Sequence, residues 1–73
     1  MRWVRLEAYI KSLETELSLI KNGFKEEERR ALVDYKSNNH EYIKKLAFLA
    51  YKSDIYQVRM YGVFLFGFLS EQK

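Results

Sequence analysis

The stretch Val58-Arg59-Met60-Tyr61-Gly62-Val63-Phe64-Leu65-Phe66-Gly67-Phe68-Leu69 decides how this chain folds, because all of its residues except Arg59, Gly62 and Gly67 are apolar. Asp54 stands ahead of it as a good helix N-cap, and Gln57 sits where a capping box places a Gln or Glu. The segment reads as a helix over about 55–70. A helix that is apolar all round is buried on several sides. It is not a membrane span. The most apolar run, Met60 to Leu69, is flanked by Arg59 and Glu71 and falls well short of the roughly 20 residues a bilayer requires.

Working outward, Ser53-Asp54 breaks the chain, and a helix over about 39–52 precedes the break with Tyr42, Ile43, Leu46, Leu49 and Ala50 facing inward. Ser37-Asn38-Asn39 is a further break, since these side chains compete for backbone groups and favour caps. Asn38 with Glu41 has capping-box spacing. Before that, Glu26, Glu27 and Glu28 open a helix over about 25–37 whose apolar face is Ala31, Leu32 and Tyr35. Three carboxylates in a first turn complement the positive end of the helix dipole, and all three are expected in solvent. Consecutive helix residues point in different directions, so the three do not converge on one ion. Farther back, Trp3, Leu6, Ile10, Leu13, Leu17 and Ile20 recur at intervals of 3 and 4, one stripe on a helix over about 3–21. Asn22-Gly23 ends it, with Gly23 in the left-handed conformation and Phe24 folding back on Leu19 or Ile20.

Four helices make residues 1–73 a single all-α domain. A chain this short hides only about 60% of its unfolded surface, yet 48% of its residues are apolar, with one Trp, six Tyr and five Phe. Part of that apolar load is expected to face a partner. With no Pro and only three Gly, long uninterrupted helices are allowed. There is no Cys, which excludes disulfides and thiolate metal sites. Met1-Arg2-Trp3-Val4-Arg5 does not open a signal peptide. The expectation is a cytoplasmic chain without membrane attachment. The net charge of +3 is compatible with nucleic acid without pointing to it strongly.

The stretch from Val58 to Glu71 resembles the second helix of a HEAT repeat, with Val58, Arg59, Gly67 and Leu69 matching that pattern and Asp54 standing where the preceding turn often has an acid. Lys45-Leu46-Ala47-Phe48-Leu49-Ala50 looks like the first helix of the pair. Gly62 departs from the usual Ala, Phe66 from the usual Leu, and the turn lacks the common Pro. A narrower resemblance runs through Glu28-Arg29-Arg30-Ala31-Leu32 and Ala50-Tyr51-Lys52-Ser53-Asp54-Ile55-Tyr56-Gln57-Val58-Arg59. These look like the N-terminal part of HEAT-like DNA alkylation repair glycosylases, which are considerably longer. That resemblance implies a concave basic surface that cradles damaged duplex DNA, with catalytic Asp and Trp residues on later repeats. The single Trp here is Trp3, so no catalytic residue carries over.

The remaining candidates follow from residue type and place. Arg29, Arg30, Lys44, Lys45 and Lys52, with Lys36, fall on the second and third helices. A shallow strip of such cations holds phosphates without reading sequence, and the first five are the DNA-contact candidates; a merely solvated surface accounts for the same residues. Asp54, Val58, Arg59 and Gly67 form the repeat motif, with Arg59 expected to pair with a turn Asp. The Tyr and Phe residues suit a base-stacking platform, although at helical spacing they read first as core. His40 has no second His and no Cys at ligand spacing, so no metal site is expected. No acid–base pair or nucleophile is assembled, and no cofactor is implied.

The expected architecture is thus a short α-solenoid piece of two α–α hairpins. Two functions remain. One is a HEAT-like module of the DNA alkylation repair type that contacts duplex DNA and is non-catalytic alone. The other is a helical protein-interaction module or homo-oligomer, in which Met60, Phe64, Leu65 and Phe68 of the last helix meet a partner. Gly62 and Gly67 would let two such helices approach closely.

Overall fold

The computed structural model describes residues 3–20 and 23–71, apart from the side chains of Trp3 and Val4. Trp3 of the apolar stripe and Asn22 of the expected stop therefore lie outside the described side chains. The elements are α1 (Trp3–Leu17), α2 (Lys25–Ser37), α3 (His40–Tyr51) and α4 (Tyr56–Ser70). All regular structure among the described residues is helical, as the breaks at Ser37-Asn38-Asn39 and Ser53-Asp54 imply.

Helix α4 is the centre of the packing. It lies most extensively against α3, then α2, and it also touches α1. Val58, Tyr61, Gly62 and Leu65 are its buried residues. Leu6, Ile10, Leu13 and Leu17 bring the α1 stripe onto the same core, with Ala31 from α2 and Ile43, Leu46, Ala47 and Ala50 from α3. Small residues set how closely α3 and α4 approach. A Cβ on Gly62 would stand 2.9 Å from the Tyr51 nitrogen, 3.0 Å from the Ala47 carbonyl oxygen and 3.1 Å from the Ala50 Cβ. The close approach at Gly62 is therefore made inside the chain, while Gly67 faces open space.

Several local expectations are corrected. Helix α1 stops at Leu17 and not near 21. The Ile20 N–H turns back to the Leu17 carbonyl at 3.0 Å, and the Ser18 hydroxyl donates to the Thr15 carbonyl at 3.2 Å. Gly23 does take a left-handed φ of 67°. Phe24 sets its ring edge-on against Tyr56 at 5.5 Å, in a recess it shares with Ile20, while Leu19 lies in solvent. Asn39, not Asn38, caps α3, its Oδ1 accepting from the Tyr42 N–H at 2.8 Å. Asn38 instead closes α2 by donating to the Asp34 carbonyl at 2.9 Å.

The box expected from Asp54 and Gln57 is also replaced. Ile55 is the N-cap residue of α4 and lacks a side-chain cap. The buried Ser53 organises the turn, accepting from the Ile55 N–H at 3.1 Å and donating to Glu14 of α1 at 2.5 Å. The Gln57 amide reaches across to the Ile20 carbonyl at 3.0 Å. Once Ser53 is anchored to α1, the Asp54 side chain is left in water.

The carboxylate trio of α2 divides. Glu26 and Glu28 are exposed, but Glu27 is fully buried on the same face as Ala31. Neither Glu27 carboxylate oxygen has a hydrogen-bond partner, so its burial is uncompensated by any direct contact. Leu32, expected inward, keeps 37% of its surface exposed.

Two measurements test this packing. Gly62→Ala should lower the free energy of unfolding in urea by about 1–3 kcal/mol, since α4 must move off α3. Gly67→Ala, in open space on the same helix, should raise it by about 0.5–1 kcal/mol. Replacing Glu27 by Met, which fills similar space without a polar end, should stabilise the fold by about 1–3 kcal/mol in the same assay; a loss would mean that the carboxylate has a partner in solution.

Candidate nucleic-acid interface

Two constellations of polar side chains stand out. The first joins α1, α2 and α4. The Tyr9 and Tyr61 hydroxyls both donate to Oδ2 of Asp34, at 2.6 and 2.5 Å. Arg30 Nε donates to the Tyr9 hydroxyl at 3.2 Å, and its Nη1 donates to Glu16 Oε1 at 2.7 Å. The Arg30 guanidinium also lies 5.7 Å from the centre of the Tyr9 ring. Burial, and then the Asp34 carboxylate, push the Tyr9 hydroxyl up to about 12. The same two causes raise the more deeply placed Tyr61 further. The hydrogen bond from Arg30 holds the Glu16 carboxyl below its usual range. The tyrosine hydroxyls and the Arg30 guanidinium are already bonded to carboxylates, so this cluster joins helices.

The second constellation lies on the outside, between α3 and α4. A shallow groove is lined by Lys44, Lys45, Phe48, Phe66, Leu69 and Ser70. The Lys52 ammonium sits 4.2 Å from the centre of the Phe48 ring. Tyr51 meets Phe66 edge-on, with ring centres 6.1 Å apart. Helical spacing puts these groups together: residues 44, 48, 51 and 52 fall on one side of α3.

The five basic candidates are thus divided by the fold. Lys44, Lys45 and Lys52 gather around Phe48. Lys44 also pairs with Glu41 at 3.7 Å across the surface of α3, a contact of small energy. Arg29 lies exposed on α2 and pairs with Glu26 at 2.5 Å. Arg30 is turned to α1 by Glu16. Asp34, Tyr9 and Tyr61 were not singled out by spacing, because nothing in the sequence reveals that three helices converge there.

The repeat-motif residues take mainly structural places. Val58 is buried in the core. Arg59 lies against Tyr56, 5.4 Å from its ring centre, and donates to the Ser53 carbonyl at 3.0 Å. Its turn partner is a backbone carbonyl and not the expected Asp54 carboxylate. Of the four residues assigned to a partner face, Leu65 is fully buried within the chain, while Phe64 and Phe68 pack against the core and remain partly accessible, as does Met60. Beyond Tyr56 in its first turn, the large apolar side chains of α4 that face outward are Val63 and Phe66. The shift follows from α1, α2 and α3 together covering more of α4 than two faces. His40 begins α3 and stacks on Tyr35 at 5.9 Å. Among the described residues, no three His, Asp or Glu side chains gather as a metal group, and no helix is long and apolar enough to cross a membrane.

The chain is similar to AlkD2 from Streptococcus mutans, at 69% identity and a TM-score of 0.89 over 92% of its length. It is similar also to smu.31 from Streptococcus mutans UA159, at 64% identity and a TM-score of 0.82 over 92% of its length. It spans about a third of each of those proteins, 32% and 31% of their chains. No family model and no curated protein sequence matches it.

The Asp34 cluster makes a pH prediction. Tyr9 and Tyr61 titrate higher in the folded chain than the ordinary value near 10. Their stabilising share is therefore complete below about pH 10; that of Tyr9 is lost as the pH rises through about 12, and that of Tyr61 goes on falling above it. The urea midpoint, followed by far-UV circular dichroism, should fall steeply between those values. In Tyr61→Phe the fall should be shallower, since one of the titrating phenols is gone.

Proposed function

We propose that this chain is a HEAT-like helical module of the DNA alkylation repair type, corresponding to the N-terminal part of such a protein, and that it contacts the backbone of duplex DNA without catalysing a reaction on its own. The observation that carries this reading is the similarity to AlkD2, at 69% identity over 92% of the chain, in agreement with the repair-type motifs around Glu28-Arg29-Arg30 and Tyr51-Lys52-Ser53-Asp54. The lysines around Phe48 support the assignment of the contact. Lys44, Lys45 and Lys52 stand on one side of α3 and α4, as a phosphate-binding strip requires. Arg29 is a further, flanking cation. Arg30 contributes mainly by holding α1 to α2. No carboxylate lines the groove, and the reading gives no residue of this chain a catalytic role.

A protein-interaction module or homo-oligomer is the second reading, favoured by the outward-facing Val63 and Phe66 on α4. Salt separates the two. Each phosphate neutralised contributes about 0.9 to the slope of log affinity against log salt. Wild-type binding to a short duplex should therefore weaken with salt with a slope of up to about 3 for these three lysines. Lys44→Glu, Lys45→Glu and Lys52→Glu combined should abolish both the binding and the slope while leaving helix content unchanged. A triple variant that binds duplex as the wild type does would remove the strip as the contact. Self-association in sedimentation without any duplex binding would favour the second reading.

A further inference from the structure

The α3–α4 groove carries more apolar surface than a phosphate strip uses. Phe48 is 51% exposed, Tyr51 55% and Phe66 40%, although a helix pair of this size has every reason to bury such rings. Beside them stand Lys44, Lys45 and Lys52, with the Lys52 ammonium already at the face of Phe48. Exposed rings set among cations, in an open groove, are the two components of a surface that stacks bases and neutralises phosphates.

Duplex DNA uses only half of this arrangement, since its base faces are covered by their neighbours and its rim offers sugar and phosphate. A second copy of the chain fits worse. Two such faces would bring three lysines against three lysines, and Glu41 beside them is already paired with Lys44. An unpaired strand offers both complements together: flat base faces for the rings and a phosphate every nucleotide for the lysines.

We propose that this groove binds single-stranded nucleic acid, with bases stacked on Phe48 and Phe66, Tyr51 supporting the Phe66 ring edge-on, and phosphates held by Lys44, Lys45 and Lys52. The choice of a nucleic acid as the polyanion rests on the function proposed above; the preference for an unpaired strand rests on the exposed rings. The lysines supply affinity without sequence, and the rings supply the discrimination between unpaired and paired strands.

Fluorescence anisotropy with a labelled oligothymidylate of about 12 nucleotides, within the footprint of a small single-strand-binding fold, tests this against the same strand annealed to its complement. The single strand should bind about tenfold tighter or more. Phe48→Ala and Phe66→Ala should each weaken single-strand binding by about 5- to 100-fold, the loss of one stacked base, and leave duplex binding within about twofold. Both rings are exposed, so circular dichroism and thermal unfolding should show these variants folded; Phe66→Trp, which keeps a stacking face, should retain the single-strand affinity. Duplex binding as tight as single-strand binding, or Phe→Ala variants with unchanged single-strand affinity, would overturn the proposal while leaving the duplex reading intact. No binding of either form would overturn both. A dimer in sedimentation that Phe66→Ala dissociates, or an acidic amphipathic peptide that binds more tightly than the single strand, would assign the groove to a protein and overturn it as well.

Discussion

Helix α4 has no polar side wide enough to face water, and among the described residues α1, α2 and α3 all pack against it. That constraint orders the rest. Gly62 lets α3 come so close that a single methyl group would meet the Tyr51 nitrogen and the Ala47 carbonyl oxygen. With α3 seated there, α2 covers a second side and α1 lies across both α3 and α4. Apolar burial drives this assembly without direction. Direction comes from the small residues Ala47, Ala50 and Gly62, which allow the close approach of α3 and α4 where they meet.

Polar groups then lock the helices in register. Asp34 draws a phenol from α1 and one from α4 onto a single carboxylate oxygen. Arg30 extends the same tie from α2 to Glu16. At the other end, Ser53 joins the α3–α4 turn to Glu14, and Gln57 holds the Ile20 carbonyl, just beyond α1. Apart from the exposed Arg30–Glu16 pair, these contacts are partly buried, so separating α1 would leave several donors and acceptors unsatisfied at once. Glu27 lies outside this scheme, with burial complete and both oxygens unpartnered.

What is left outside is selective. Covering α4 from three directions consumes Val58, Tyr61 and Leu65 and leaves Phe66 and Leu69 along a groove whose other wall is the lysine side of α3. The cations and exposed rings therefore meet as a consequence of how α3 and α4 cross. The similarity to AlkD2 concerns this same unit, about a third of that protein.

The sequence by itself determined the four helices, because periodicity, Gly23 and the Ser and Asn breaks are local signals; α2, α3 and α4 fall within a residue of their expected bounds at each end. It also determined that α4, apolar all round, would be buried on several sides, and that the basic residues of α2 and α3 would be the cationic candidates. Only the tertiary structure decided which caps form, since Ser53 and Gln57 are recruited by α1, a partner distant in sequence. It alone buried Glu27 and Leu65, turned Arg30 to α1, and gathered Lys44, Lys45 and Lys52 around exposed rings. Spacing along a helix shows which residues share a side; it does not show which neighbouring helix arrives to cover that side. That choice belongs to the close packing of α3 on α4 and the hydrogen bonds that fix α1 and α2 around them.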